Sequence, residues 1–416
     1  MTDPQGSSYR DPEHLLGVPR ALGPSHRLTQ DELYRQAARP GRFNRAVDYL
    51  KIKWVLWLWH YLKTRIGGKY PFATYDATPA DRGIYPLADD RVRIAIVGDW
   101  GTGTQQAHEV ATAMAQAEPH FTIHLGDVYY VGTKQEMYDN MLGGRVTWPV
   151  GSVGSFALNS NHEMYARGKG YFKYLLPELG VAGAGQRASF FCLRNDHWLV
   201  IGLDTGYYSV GLPLLERIVK PRCRLHDKLV KWLREDVQLQ DDRTRGVILL
   251  SHHQYHSQFE AIHDTAARQL SELVHRPVLW FWGHEHRFAI YRRHATKKGR
   301  LEAYGRCIGH GGLPIEDIDD APKTDARHQV GLVLYDRRRR AELGPRRTQV
   351  GWNGFAVLEF QGSALTVDYR DARNRLLVRE RWEVGAGGVL RGVAIEKVTD
   401  DRDLKLHSAS LEDALE

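Results

Sequence analysis

Five segments of this chain end in groups suited to holding cations, and each follows an apolar run. They are GDWG (98–101), GDVYY (126–130), SNHE (160–163), SHH (251–253) and GHEH (283–286). Runs such as RVRIAIV (91–97), HFTIHL (120–125), GVILL (246–250) and VLWFW (278–282) read as short buried strands. Strand ends along one edge of a sheet face a common crevice, so donors scattered through the sequence converge only if these strands lie side by side. That demand restricts the fold more than composition does.

The remaining pattern agrees with it. Between Gln105 and Ala117 the residues Ala107, Val110, Ala111 and Met114 recur at helical spacing, and further helices are expected near 225–239 and 264–275. SFFCLR and HWLVIGLDT read as a hairpin about the two-residue turn Asn195 and Asp196. Beyond residue 300 the strands LEAYGRCI, GFAVLEF, ALTVDYR and LLVRERW follow. Helices flanking a first set of strands, then a strand-rich second half, predict an α/β fold of two sheets packed face to face with helices outside.

The expected divisions are a tail or arm over 1–27, a helical extension over 28–90, a catalytic domain over 91–385 and a C-terminal tail over 386–416. In the extension, Thr29 and Glu32 form a capping-box pattern for a short helix ending before Pro40. A second helix, 44–66, carries Trp54, Trp57 and Trp59 and is read as a cover packed on the catalytic domain. The alternative is contact with a membrane surface or a partner.

Charge and cysteine usage narrow the setting. The balance of 57 basic and 50 acidic residues gives +7, mild for 416 residues, so nucleic-acid binding is not indicated. Arg337 to Arg340, with Arg346 and Arg347, form the strongest basic cluster and are read as a solvated loop rather than a phosphate or nucleic-acid contact. Cys192, Cys223 and Cys307 are odd in number and far apart, which fits a reducing compartment rather than a disulfide framework. The first residues, MTDPQGSSYR, lack the basic start and apolar run of a signal peptide. No window reaches the ~18 to 20 apolar residues that span a bilayer, and a cytoplasmic protein is expected.

Taken singly, each donor segment has an ordinary explanation. Asp99 or Asp127 would cap a helix or turn, Asn161 would hold a loop, and the histidines would be satisfied core or loop residues. All five in this order, each after a strand, point instead to a two-metal site. Two cations roughly 3.5 to 4 Å apart acidify a water, hold phosphate oxygens and stabilise both the attacking and leaving groups of an in-line displacement.

The order GDxG, GDxxY, NH(D/E), a histidine after an apolar strand, and GHxH resembles the calcineurin-like metallophosphoesterase superfamily and, within it, the purple acid phosphatase-like branch. The resemblance spans about 90 to 315, and the strands to about 385 look like the rest of the same fold. It implies a four-layer αββα sandwich of two mixed β-sheets flanked by helices, the metallo-dependent phosphatase fold, here with an N-terminal helical extension. Many relatives place a histidine two residues after the first aspartate, a position that Gly101 holds here. The purple acid phosphatase-like branch implies a tyrosinate in its stead, and Tyr130, three residues after Asp127, matches that motif; Tyr129 competes for the role.

Mapped in this way, the first metal takes Asp99, Asp127, Tyr130 and His286, and the second takes Asp127, Asn161, His252 and His284, with Asp127 bridging. The phenolate beside carboxylates suits Fe(III), and the amide and imidazole set suits Zn, Fe(II) or Mn(II). His162 is the expected donor to the leaving oxygen or phosphoryl group. Glu163, Asp204 and His253 are candidates for orienting the donors, with His253 also the alternative to His252, and His310, in CIGHGGLP, is a candidate substrate contact. Two departures stand out: Ser160 occupies the place of a family glycine, and Gln254 that of a proline.

The expected function is therefore hydrolysis of a small phosphorylated substrate by in-line attack of a metal-activated hydroxide. A phosphatase is the first reading; a phosphodiesterase acting on nucleotides or nucleic acid, or a catalytically inactive binding protein on the same fold, is the alternative. GDWGTG spaces its glycines GxxGxG, unlike the GxGxxG of dinucleotide sites, and GDVYY departs from the GDxVDRG of protein serine/threonine phosphatases.

Overall fold

Apolar residues on both faces of a strand require cover on both sides. In the strand β2 (Val92–Val97), Val92, Ile94 and Ile96 enter one core, and Ala95 and Val97 enter another. The same split recurs in β7 (Trp198–Gly202) and β8 (Gly246–Ser251), where Val200, Ile248 and Leu250 face inward and Leu199, Ile201, Val247 and Leu249 face outward. These features come from a computed structural model that describes residues 68–75, 82–88, 91–210, 223–298, 300–313, 315, 320–326, 328, 330–343 and 348–416. The expected arm over 1–27, the helices after Thr29 and over 44–66, and the cluster members Arg346 and Arg347 lie outside the described residues.

Two large sheets carry the fold, and β13 (Arg339–Leu343) and β14 (Thr348–Gly351) pair as a separate ribbon. One joins β1 (Ile84–Pro86), β6 (Phe191–Arg194), β7, β8, β9 (Val278–Trp282), β11 (Ala303–Ile308), β10 (Phe288–His294), β12 (Leu332–Asp336) and β19 (Leu404–Leu406) in that spatial order. The other joins β18 (Leu390–Lys397), β17 (Leu376–Val384), β16 (Ala364–Asp371), β15 (Gly354–Gln361), β2, β3 (Phe121–His124), β4 (Gly154–Ala157) and β5 (Gly180–Val181). Their inner faces meet through Ile94, Ile123 and Phe156 on one side and Val200, Ile248 and Phe281 on the other. Helix α1 (Gln105–Gln116) covers the outer face of the second sheet through Ala107, Val110 and Met114. Helices α4 (Asp227–Glu235) and α5 (Thr265–Leu270) cover the first through Leu229, Leu233 and Leu270. The result is the expected four layers.

Within each sheet the site-bearing strands are parallel: β2, β3 and β4 in one, β8 and β9 in the other. Their C-terminal ends carry the five donor segments. Two shorter helices, α2 (Lys134–Asn140) and α3 (Asn161–Tyr165), follow β3 and β4. Among the described residues no helix is long and apolar enough to cross a membrane.

Three expectations need correction. The two-residue turn between β6 and β7 falls at Asp196 and His197, one residue later than Asn195 and Asp196: the Asn195 amide donates to the Trp198 carbonyl, and the Asn195 side chain accepts from the amides of His197 and Trp198. Residues 386–416 are not a tail: β18 extends one sheet beside β17, and β19 extends the other beside β12. Leu390, Ile395, Leu404 and Ala414 are buried, and the Ala414 carbonyl accepts from the buried Arg306, whose partner is Glu380. Arg338, in the basic run read as solvated, is also buried, paired with Asp336 and Asp371, while Arg340 pairs with Glu109.

Candidate metal centre

Where β2 stops, the two sheets come into contact. A Cβ on Gly98 would lie 2.8 Å from the Gly283 Cα, so only glycine allows the loops after β2 and β9 to touch. Asp99 follows with φ +60, and Asp127 and His284 also have positive φ, at +76 and +67. L residues rarely adopt that conformation, and its recurrence in three candidate donors marks a site whose surroundings over-determine the backbone. Asp99 is held from both sides. Its Oδ2 accepts from the His284 amide at 2.7 Å, and its carbonyl accepts from Gly312 and Leu313 in the CIGHGGLP turn.

Gly101 explains why no histidine follows Asp99 at the expected spacing. It bridges to Val128, and its carbonyl accepts from the Tyr129 amide at 2.8 Å. A Cβ there would lie 2.9 Å from the Asp127 carbonyl oxygen and the Val128 Cα, so a histidine would push the GDVYY loop away. That pinned loop turns the Tyr129 hydroxyl into the space. It lies 2.9 Å from Asp99 Oδ1, 3.0 Å from Asp127 Oδ2 and 2.9 Å from His286 Nε2.

The expected tyrosine was Tyr130, and the structure puts its neighbour there instead. Tyr130 donates its amide to Glu136 at 2.6 Å, and its carbonyl meets His162 Nδ1 at 2.7 Å. Its ring packs against the small cluster of Tyr129 and Leu313. Adjacent residues project in different directions, and the pinning at Gly101 selects the earlier one.

Asp127 turns its other oxygen to a second group. His252 Nε2 lies 3.2 Å from Asp127 Oδ1, 3.0 Å from Asn161 Oδ1 and 3.2 Å from His284 Nδ1. The Leu125 carbonyl accepts the proton of His252 Nδ1 at 3.0 Å, which leaves the Nε2 lone pair facing the group. Burial alone would raise the Asp127 pKa, but the imidazoles of His162, His252 and His284 and the Ser160 hydroxyl outweigh it and hold the carboxyl well below its usual range. Tyr129 moves the opposite way, pushed well up by burial and by the Asp127 and Asp99 carboxylates.

The two groups fit cations. Asp99 Oδ1, Asp127 Oδ2 and Tyr129 Oη crowd together with one phenolic hydrogen among them, an excess of lone pairs over protons. Ligands about 2.1 Å from one ion stand about 3.0 Å apart along an octahedral edge and about 3.4 Å along a tetrahedral edge. The separations here are 2.9 to 3.4 Å in the first group and 3.0 to 3.2 Å in the second.

The other singled-out residues support these groups in several ways. His162 holds its Nε2 3.7 Å from Asp127 Oδ2, with its ring between those of Tyr129 and Tyr165. Glu163 orients no imidazole; it accepts from the Val128 amide at 2.8 Å and from the Ser160 hydroxyl, and burial together with the Asp127 charge pushes it up to about 8. Asp204 likewise holds a loop rather than a histidine, accepting from Asn159, Ser189 and the amides of Gly206 and Tyr207. His253 sits beside the second group, its Nδ1 3.1 Å from Thr205 Oγ1 and its ring 4.7 Å from that of His284. A cluster of His252, His253 and His284 offers an alternative ligand set, but His252 is the one that faces Asp127 and Asn161.

His310 is not a rim residue. It is buried, stacked on Phe288, and pushed down to about 3 by burial first and then by Arg338, so its ring is neutral and packed away from the crevice. Ser160 is the functional residue that the sequence reading missed. Its hydroxyl bonds both Asp127 and Glu163 and caps α3 through the His162 amide, a role readable only from the N-cap position before NHE.

The family model for calcineurin-like phosphoesterase matches residues 92–288. A purple acid phosphatase from yellow lupin (Lupinus luteus) seeds is similar at 14% identity over 71% of this chain, with a TM-score of 0.39; the chain spans 54% of that enzyme. PhoD is similar at 12% identity over 77% of this chain and 74% of its own, with a TM-score of 0.45. GAP50, the anchor in the inner membrane complex of Plasmodium, is similar at 12% identity over 74% of this chain and 90% of its own, with a TM-score of 0.41. No curated protein matches the sequence. Residues 92–288 of this chain are a calcineurin-like phosphoesterase domain, and the donor-bearing strand ends lie within it.

Proposed function

We propose that the chain is a two-metal phosphatase hydrolysing small phosphate monoesters. The observation that carries this reading is the position of Asp127, whose two oxygens face two different donor groups, Oδ2 toward Tyr129 and Oδ1 toward His252. We assign Asp99, Asp127, Tyr129 and His286 to the first cation and Asp127, Asn161, His252 and His284 to the second. Bound there, an Fe(III) and a divalent Zn, Fe or Mn ion would supply Lewis acidity, acidifying water and neutralising phosphate oxygens.

The protein's own groups do the rest. Ser160 and Glu163 fix the Asp127 carboxylate and the loop that carries it. The Tyr130 carbonyl accepts a hydrogen bond from His162 Nδ1, so that ring presents Nε2 toward the crevice, where, as the imidazolium, it can donate to a phosphoryl oxygen or to the departing alkoxide. The buried strand ends and the inter-sheet contact at Gly98 and Gly283 keep the donors rigid, so little reorganisation accompanies the reaction. A phosphodiesterase shares these groups; the walls of the crevice decide between them. The three buried cysteines, none paired with another, support the reading of a reducing cytoplasm.

The decisive experiment assays monoesters, diesters and cyclic nucleotides with protein of measured metal content. Hydrolysis of monoesters at two metals per chain is expected. A protein that takes up no more than one equivalent of Zn, Mn or Fe, or cleaves none of the panel, overturns the proposal.

A further inference from the structure

Asn161 poses a problem of orientation. A side-chain amide offers one oxygen and one nitrogen, and only the oxygen binds a cation. In the structure Oδ1 faces His252 Nε2 at 3.0 Å, and Nδ2 donates to the Tyr165 hydroxyl at 3.3 Å. Asn161 and Tyr165 stand four residues apart on α3 and so share one helix face. The ring of Tyr165 also lies 5.0 Å from that of His162, edge to face.

Resting on the two-metal reading above, we infer that Tyr165 is a positioning residue for the second cation: by accepting the Asn161 amide hydrogen, its hydroxyl keeps the amide oxygen turned to the site. The ring separately walls His162. The two roles come apart on substitution, because phenylalanine keeps the ring and removes the acceptor. Partners that orient metal ligands typically account for about 10- to 100-fold in affinity.

A carboxylate at position 161 has no wrong orientation, since either oxygen binds, and this supplies the test. Binding of a second equivalent of Zn(II) is measured by titration calorimetry on the full chain, in a cycle of Tyr165→Phe, Asn161→Asp and the double variant. Tyr165→Phe alone is expected to weaken the second equivalent about tenfold, and the same change made on top of Asn161→Asp is expected to shift it by less than about twofold. A tyrosine that merely supports the fold would weaken binding equally in both backgrounds, and that result overturns the inference. Asn161→Ala separates the two levels: if it leaves the second equivalent intact, the two-metal assignment itself fails. If it weakens that equivalent while the cycle shows no coupling, only the role of Tyr165 is lost. Should Tyr165→Phe prove unstable, Tyr165→His, which retains an acceptor, is expected to bind the second equivalent within about threefold of the parent, and a tenfold loss counts against the inference.

Discussion

The two donor groups share Asp127 and differ in almost everything else. The first is rich in oxygen, with two carboxylates and the Tyr129 phenol around one imidazole. The second brings two imidazoles and an amide to the other Asp127 oxygen. Hard oxygen donors favour a trivalent ion, and neutral nitrogen and amide donors favour a divalent one, so on the proposed assignment one carboxylate would divide the crevice into two unlike sites. The difference has a structural origin. The first group gathers around the pinned Gly101–Val128 contact, whereas the second forms where β8 and β9 end beside α3.

The largest test of this division removes its shared member. Asp127→Asn should lower turnover on the order of a thousandfold and impair both sites; undiminished hydrolysis would end the two-site picture. Next, Tyr129→Phe should abolish the phenolate charge-transfer band of iron-loaded protein, and Tyr130→Phe should retain it. The reverse pattern in visible spectra would restore the sequence-based assignment. Glu163→Gln should weaken metal binding by about 10-fold, through the loop that carries Asp127, and metal titration reads this directly.

A test that needs no metal lies behind the first group, in His310. Its folded pKa of about 3 sits below the ordinary 6.5, so the neutral ring's contribution to stability is complete above pH 6.5 and is lost as pH falls toward 3. His310→Phe should remove one proton from that linkage, flattening the stability curve between these values by ~1.4 kcal/mol per pH unit. Denaturant melts of metal-free protein across that range check it; parallel curves for variant and parent would show that His310 does not titrate on unfolding.

Much of this was legible in the residues. VRIAIV, GVILL and VLWFW announced strands buried on both faces, and the polar segments after them lie at the strand ends that meet in one crevice. Other features were not. LRGVAIEK at 390–397 reads as polar because it forms a sheet edge with most of one face exposed, and its place beside β17 depends on pairing with a distant strand. His310 looked accessible in a glycine-rich turn, yet those glycines exist to press the turn against Asp99.

By itself the sequence determined which loops can reach the crevice, because strand periodicity and chain order dictate which loops share a sheet edge. Tertiary structure alone decided which of two neighbouring tyrosines enters, that Ser160 ties Asp127 to Glu163, and that Asp204 holds a loop instead of an imidazole. The physical reason is that a side chain's direction follows the local backbone, and here that backbone is bent by contacts with residues far away in the chain. Val128 meets Gly101, and Gly98 meets Gly283; no local pattern records either meeting.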